Sequence, residues 1–213
     1  MKQQKLRMIT IISTWLNYWN NMSSIKDYAK ENHVPIIQDG GLDFLLKTIK
    51  EHQFKDILEL GTAIGYSSIN IARLSNDIKI DTVERNEDMY NEAVKNVSNA
   101  GLDKQITLHF MDIKDFTTSK MYDFIFVDAA KGQYYNYLNQ FIDNLKEDGM
   151  MLFDNIEFHG MVKNPELTKS RNTRQLVKKI RNFRDLVQED DRFDIIIYED
   201  IGDGILTLTR RKV

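Results

Sequence analysis

The chain predicts an α/β fold: a mostly parallel sheet of seven strands, doubly wound by helices and ending in a C-terminal antiparallel hairpin. Two observations carry this. From residue 54 onward, short strand-forming apolar runs alternate with helical patterns, as in a parallel sheet covered on both faces. The last two runs are separated only by DIGDG, a turn-rich connection too short for a crossover, so they should pair antiparallel.

The bulk numbers agree. The 213 residues suffice for one sizeable core, read as a single domain over 1–213, with an N-terminal helical cap (1–53) and a doubly wound core (54–213). The chain is 42% apolar and 29% charged, with net charge −3. It has no chain-wide basic field for nucleic acid, so any such site must be a local patch. The absence of cysteine excludes disulfides and thiolate metal sites and fits a reducing, cytoplasmic setting. The start, MKQQKLRMITIISTWLNYWNN, is basic and partly apolar, but Ser, Thr, Asn and Tyr interrupt it and no small-residue cleavage site follows. It reads as an amphipathic helix, neither a signal peptide nor a membrane span. Trp15 and Trp19, spaced i,i+4, suggest a packing face or a homodimer contact.

Three helical segments precede residue 53, the last being GLDFLLKTIKEH with apolar residues at helical spacing. Strands are expected at 56–60, 79–84, 106–111, 124–128, 149–154, 193–199 and 205–210. Helices are expected near 65–75, 87–100, 132–146 and 171–189. In such sheets ligands sit outside the carboxyl ends of the strands, so the strand ends are where chemistry is sought.

The first strand runs into ELGTAIGYSS, 59–68. Gly61 and Gly65 let a ligand approach the backbone, and the amides of 65–68 open a helix N-terminus that welcomes an anion. Glu84 closes the second strand, where an acid can accept both hydroxyls of a ribose. Asp112, after the third, can accept from an adenine amino group. Each acid alone also reads as a helix cap or a solvated loop residue. Three in order at three strand ends favour an adenosine-containing cofactor, and the GxxxG spacing favours S-adenosyl-L-methionine over NAD.

The fourth strand delivers Asp128, three residues before Lys131, and the fifth delivers Asp154 and Asn155. Adjacent parallel tips would gather two carboxylates and an amide oxygen, a hard set suited to Mg²⁺. On residues alone the plainer alternatives stay open: Asp128 as a cap for the next helix, Asp154-Asn155 as a polar turn.

LELGTAIGYSS, VDAAKGQYYNYL and FDNIEFHGMV, in this order and spacing, resemble the metal-dependent O-methyltransferases of the catechol and caffeoyl-CoA type. Within them the chain is similar to the bacterial branch that methylates 5-hydroxyuridine at the tRNA wobble position. The resemblance covers nearly the whole chain, including ENHVPII and IGDGILTL, and departs at QDGG (38–41), where many relatives carry a proline. It implies a Rossmann-like class I methyltransferase fold. It implies Asp128, Asp154 and Asn155 as Mg²⁺ ligands and Lys131 as catalytic base. It places Glu59, Gly61, Gly65, Ser67, Glu84, Asp112 and Asp128 along the cofactor, with Tyr66 near its methionine end. Its implied partner is the tRNA anticodon loop.

What separates an RNA substrate from a small catechol lies outside the metal. KSRNTRQLVKKIRNFR (169–184) carries Lys169, Arg171, Arg174, Lys178, Lys179, Arg181 and Arg184 and no acid. Arg171, Arg174 and Lys178 recur at helical spacing and can share a face toward phosphates; an ordinary solvated basic helix is the alternative. Arg210, Arg211 and Lys212 add terminal charge. Tyr134 or Tyr135 could stack on a flipped base, with core packing the expected fate of at least one. The four histidines form no metal set: His109 reads as structural, and His159, close to the metal segment, could touch substrate but reads first as a surface-loop residue. A small-molecule phenol methyltransferase, and a non-catalytic binding module that kept the fold, are the competing readings.

Overall fold

The structure, a computed structural model, describes residues 22–211. Trp15, Trp19 and the first expected helix, together with Lys212, lie outside the described residues.

Helix α1 occupies 22–31, and α2 spans Asp39–His52. The chain then alternates: β1 Asp56–Leu60, α3 Tyr66–Ala72, β2 Lys79–Glu84, α4 Glu87–Asn99, β3 Ile106–Phe110, β4 Tyr122–Val127, α5 Tyr134–Phe141, β5 Leu145–Phe153, α6 Arg171–Glu189, β6 Phe193–Tyr198 and β7 Ile205–Arg210. The seven strands form one sheet in the order β3-β2-β1-β4-β5-β7-β6. The first five pair in parallel. β7 runs antiparallel between β5 and β6, so the terminal hairpin completes the sheet by inserting its last strand.

Strand residues alternate between faces, and both faces are buried. Ile57, Phe124, Phe126, Leu152 and Ile205 pack with Leu45, Ile49, Ile69 and Val97 of the helices on one side. Leu58, Ile125, Val127, Met151, Phe153 and Leu206 pack with Leu138, Phe141, Ile180 and Phe183 on the other. This is why the central strands read as nearly continuous apolar runs. On α6 the buried residues are Val177, Ile180, Phe183 and Val187, a 3–4 spacing that leaves Arg171, Arg174, Lys178 and Lys179 on the exposed side.

Boundaries differ where local pattern and packing disagree. The helix expected over 132–146 is only α5, flanked by 3₁₀ turns at Lys131–Gln133 and Ile142–Asn144. β5 begins early because Leu145 pairs with Tyr122, while Lys146 bridges Asp56 (2.7 Å) and Asp123 (2.8 Å). Among the described residues no helix is long and apolar enough to cross a membrane.

Candidate active site

Parallel strands end at the same edge, and that edge gathers the chemistry. Across the sheet, Asp112 follows β3, Glu84 ends β2, Gly61 follows β1, Asp128 follows β4 and Asp154 follows β5. All five line one cavity of about 570 Å³, bordered on one side by Pro35 and Gln38 ahead of α2. The tips are stitched together: Asp128 N donates to Leu60 O (3.0 Å) and Asp154 N to Val127 O (3.1 Å). Gly61 has φ 103, and a Cβ there would overlap the Asp128 carbonyl. Only glycine lets β1 turn this close to β4.

On one arm of the cavity Glu84 is held by three backbone amides. Ala63 N donates to one oxygen (2.9 Å), Arg85 N (2.9 Å) and Asn86 N (2.8 Å) to the other. Asp112 accepts from Lys114 N (3.1 Å) and pairs with Arg85 (3.2 Å); the Lys114 amide, aided by Arg85, holds its carboxyl below the usual range. Asp112 is therefore both the turn cap and a wall residue. Tyr66 and Ser67 also line the cavity, and Lys26, paired with Asp39 (2.5 Å), lies 5.8 Å over the Tyr66 ring.

Two of the expected cofactor residues stand behind the wall. Glu59 is fully buried and accepts hydrogen bonds from Ser67 (2.5 Å), Ser68 and Thr82 (2.6 Å). Burial pushes its carboxyl up to about 7. It braces the turn from beneath and does not reach the cavity. Gly65, at φ 82, packs against Ala93 and Val97 of α4.

On the other arm Lys131 Nζ lies 2.8 Å from Asp128 Oδ1. Asp154 is 1% exposed, and burial, with the Asp128 charge beside it, pushes its carboxyl up to about 7. Asn155 donates its backbone N–H to Asp154 Oδ1 (2.8 Å) and lines the same cavity. Among the described residues no cluster of three or more His, Cys, Asp or Glu forms a metal site; the expected set is two carboxylates and an amide. Two carboxylates and an amide side chain gathered at one end of the cavity, with the Lys131 side chain beside them, are the donor type that a hard dication satisfies.

Asp203 was not legible as a site residue. Asp203 reads as a turn residue in DIGDG, yet it lines the cavity, 8% exposed, accepting from His159 N (2.5 Å). Its other oxygen is buried without a hydrogen-bond partner, 3.5 Å from His159 Nδ1. His159 is an exposed loop residue, as expected, and it also borders the cavity. Tyr134 is core: it packs on Phe153 and Phe183 and donates its hydroxyl to the Asp154 carbonyl. Tyr135 is half exposed. His109 pairs with Asp81 (2.9 Å), a structural role.

The basic residues divide. Arg171, Arg174 and Lys178 are exposed on α6. Lys179 and Leu176 lie against Gly132, in the turn that carries Lys131. Arg181 and Arg184 instead turn inward, Arg181 donating to Val162 O (2.6 Å) and Arg184 pairing with Glu157 and Glu199. Arg210 donates to Ile142 O (2.6 Å) and Arg211 pairs with Asp194 (2.9 Å).

The profile of the O-methyltransferase family matches residues 19–212. A caffeoyl-CoA O-methyltransferase from Stellaria longipes is 32% identical over 182 residues, covering 80% of this chain and 72% of its own. The structure of a candidate caffeoyl-CoA O-methyltransferase from Staphylococcus aureus superposes with a TM-score of 0.82 at 32% identity, covering 89% of this chain and 92% of that one. An SAH-bound methyltransferase from Podospora anserina shares the fold, with a TM-score of 0.73 at 23% identity over 80% of this chain and 78% of its own.

Proposed function

The chain belongs to the O-methyltransferase family, and from that premise we propose that it uses S-adenosyl-L-methionine and Mg²⁺ to methylate the 5-hydroxyl of 5-hydroxyuridine at the tRNA wobble position, giving 5-methoxyuridine. One observation carries the chemistry: Asp128, Lys131, Asp154 and Asn155 meet the Glu84–Asp112 arm in a single cavity. The Podospora protein of the same fold was solved with SAH bound, which supports the cofactor.

Glu84 and Asp112 are the acceptors for ribose hydroxyls and the adenine amino group, and the side-chain-free turn at Gly61 admits the cofactor's backbone-facing edge. Asp128, Asp154 and Asn155 are the residues that would hold the metal. A dication held there would supply Lewis-acid stabilisation of the deprotonated acceptor hydroxyl, and a bound cofactor would supply the methyl group from its sulfonium. Lys131 Nζ, kept in place by Asp128, is the group positioned to receive the hydroxyl's proton, which it would accept as the neutral amine. Phe158 and His159 narrow the cavity beside Asn155.

The RNA assignment draws on α6. Its exposed Arg171, Arg174 and Lys178 continue to Lys179 at the Lys131 turn, so the basic face begins at the rim of the site, where phosphates would position the anticodon loop. The names of the relatives favour the second reading, methylation of a caffeoyl-CoA-like or catechol phenol, whose vicinal oxygens present the same chelate. Labelled cofactor, Mg²⁺ and purified protein, offered tRNA bearing 5-hydroxyuridine, caffeoyl-CoA and catechol, separate the two. Label is expected in the tRNA; label entering only the small molecules overturns the RNA assignment. Reversing both Arg171→Glu and Arg174→Glu should cut tRNA methylation roughly tenfold at low salt and less at high salt. An unchanged rate removes the basic face from recognition.

A further inference from the structure

The backbone beside Asn155 is held in an unfavourable shape. Asn155, Phe158 and His159 have φ of 56, 45 and 57, in the left-handed region that non-glycine residues keep only where their surroundings over-determine it. All three line the cavity. Main-chain bonds restrain them in part: Ile156 N donates to Gly204 O (3.0 Å), Glu157 N to Asp203 O (2.9 Å) and Val162 N to Glu157 O (3.1 Å).

The Asp203 carboxylate holds His159 N (2.5 Å), and a further restraint comes from behind. Glu157 does not line the cavity; it is 5% exposed, and its carboxylate meets the guanidinium of Arg184 on α6. Arg184 extends its second nitrogen to Glu199 (3.1 Å), which pairs with Lys163 (2.7 Å). Nearly one turn earlier on α6, Arg181 donates to Val162 O (2.6 Å) and Lys163 O (3.3 Å). α6 therefore grips the loop at 157 and again at 162–163. One Glu157 oxygen is buried without a hydrogen-bond partner, so this is a poor arrangement for stability alone, where an apolar pair would do as well. What an apolar pair lacks is direction.

We propose that Arg184 is a positioning residue: through the buried Glu157 carboxylate it fixes the left-handed loop that sets Asn155, Phe158 and His159 against Asp154 and Lys131. The proposal rests on that cavity being the methyl-transfer site and not on the identity of the acceptor. Three variants test it: Arg184→Met, Arg184→Lys, and the double variant Glu157→Leu/Arg184→Met, which strands no buried charge and should fold. Turnover is followed on whichever of tRNA or caffeoyl-CoA the unaltered enzyme methylates, cofactor affinity by calorimetry, and the amides of 156–162 by hydrogen exchange. Arg184→Met and the double variant should lose about tenfold or more in kcat. Their exchange protection over 156–162 should fall by a similar factor while the β1 and β4 amides keep theirs. Their S-adenosyl-L-methionine Kd should stay within about twofold, and Arg184→Lys should recover kcat to within about threefold. Wild-type turnover in the folded double variant overturns the proposal. So does a loss of protection spread across the sheet with cofactor affinity falling in step. If the unaltered enzyme methylates neither acceptor, the acceptor assignment fails, and the exchange and calorimetry still decide the role of Arg184.

Discussion

Lys131 and Glu59 show how differently two polar side chains in one site can be used. Lys131 reaches the cavity and touches Asp128; Lys131→Ala should lower kcat by about 10²–10⁴ while calorimetry shows cofactor affinity little changed. Wild-type turnover would dismiss the base role. Glu59 never reaches the cavity. Burial pushes its carboxyl from 4.5 to about 7, against the opposing hydrogen bonds from Ser67, Ser68 and Thr82. A carboxyl raised in the folded state contributes its stability below the unfolded pKa and loses it as the pH climbs, because the unfolded chain releases its proton first. The window runs from pH 4.5 to about 7. Measured against Glu59→Gln, the wild-type chain should lose on the order of 2–3 kcal/mol of unfolding free energy across that window. Urea titrations giving parallel pH profiles for the two proteins would refute this.

At the scale of elements, the β1–α3 turn is the most constrained joint. Gly61 sits at φ 103 with the Asp128 carbonyl where a Cβ would be. Gly61→Ala should cost on the order of 2–4 kcal/mol, lowering Tm by about 5–15 °C; a calorimetric Tm matching wild type would contradict the close approach. This joint was legible in ELGTAIGYSS because turn chemistry is local. The span 132–146 was not: its aromatic, amphipathic start suits one long helix, but Leu145 is claimed by Tyr122 and Lys146 by two strand-end acids. Contacts to residues more than twenty positions away end the helix early. The basic segment forms a helix as expected, but the sequence counts Arg181 and Arg184 in it without saying which way they turn, because charge alone does not fix a side chain's direction.

For the molecule as a whole, five strand tips on one edge concentrate acids in a partly closed cavity. Asp154 bears the cost, its carboxyl raised by burial and by Asp128. A dication bound between them should stabilise the folded chain by about 2.7 kcal/mol at a hundredfold excess over Kd, a Tm rise of about 5–10 °C. Asp154→Asn should abolish the Mg²⁺-dependent shift, EDTA should remove it, and its absence in the wild-type protein would eliminate the metal from the proposal.

The amino-acid sequence by itself determined the alternation of strands and helices, the apolar runs buried on both faces, and which acids close which strands, since periodicity and turn residues act over a few neighbours. Only the tertiary structure decided that β7 inserts between β5 and β6, that Asp203 faces His159 across 44 residues of chain, and that Glu59 and Gly65 brace the turn from behind. Those outcomes depend on which side chains meet after distant segments pack, and no local pattern carries that information.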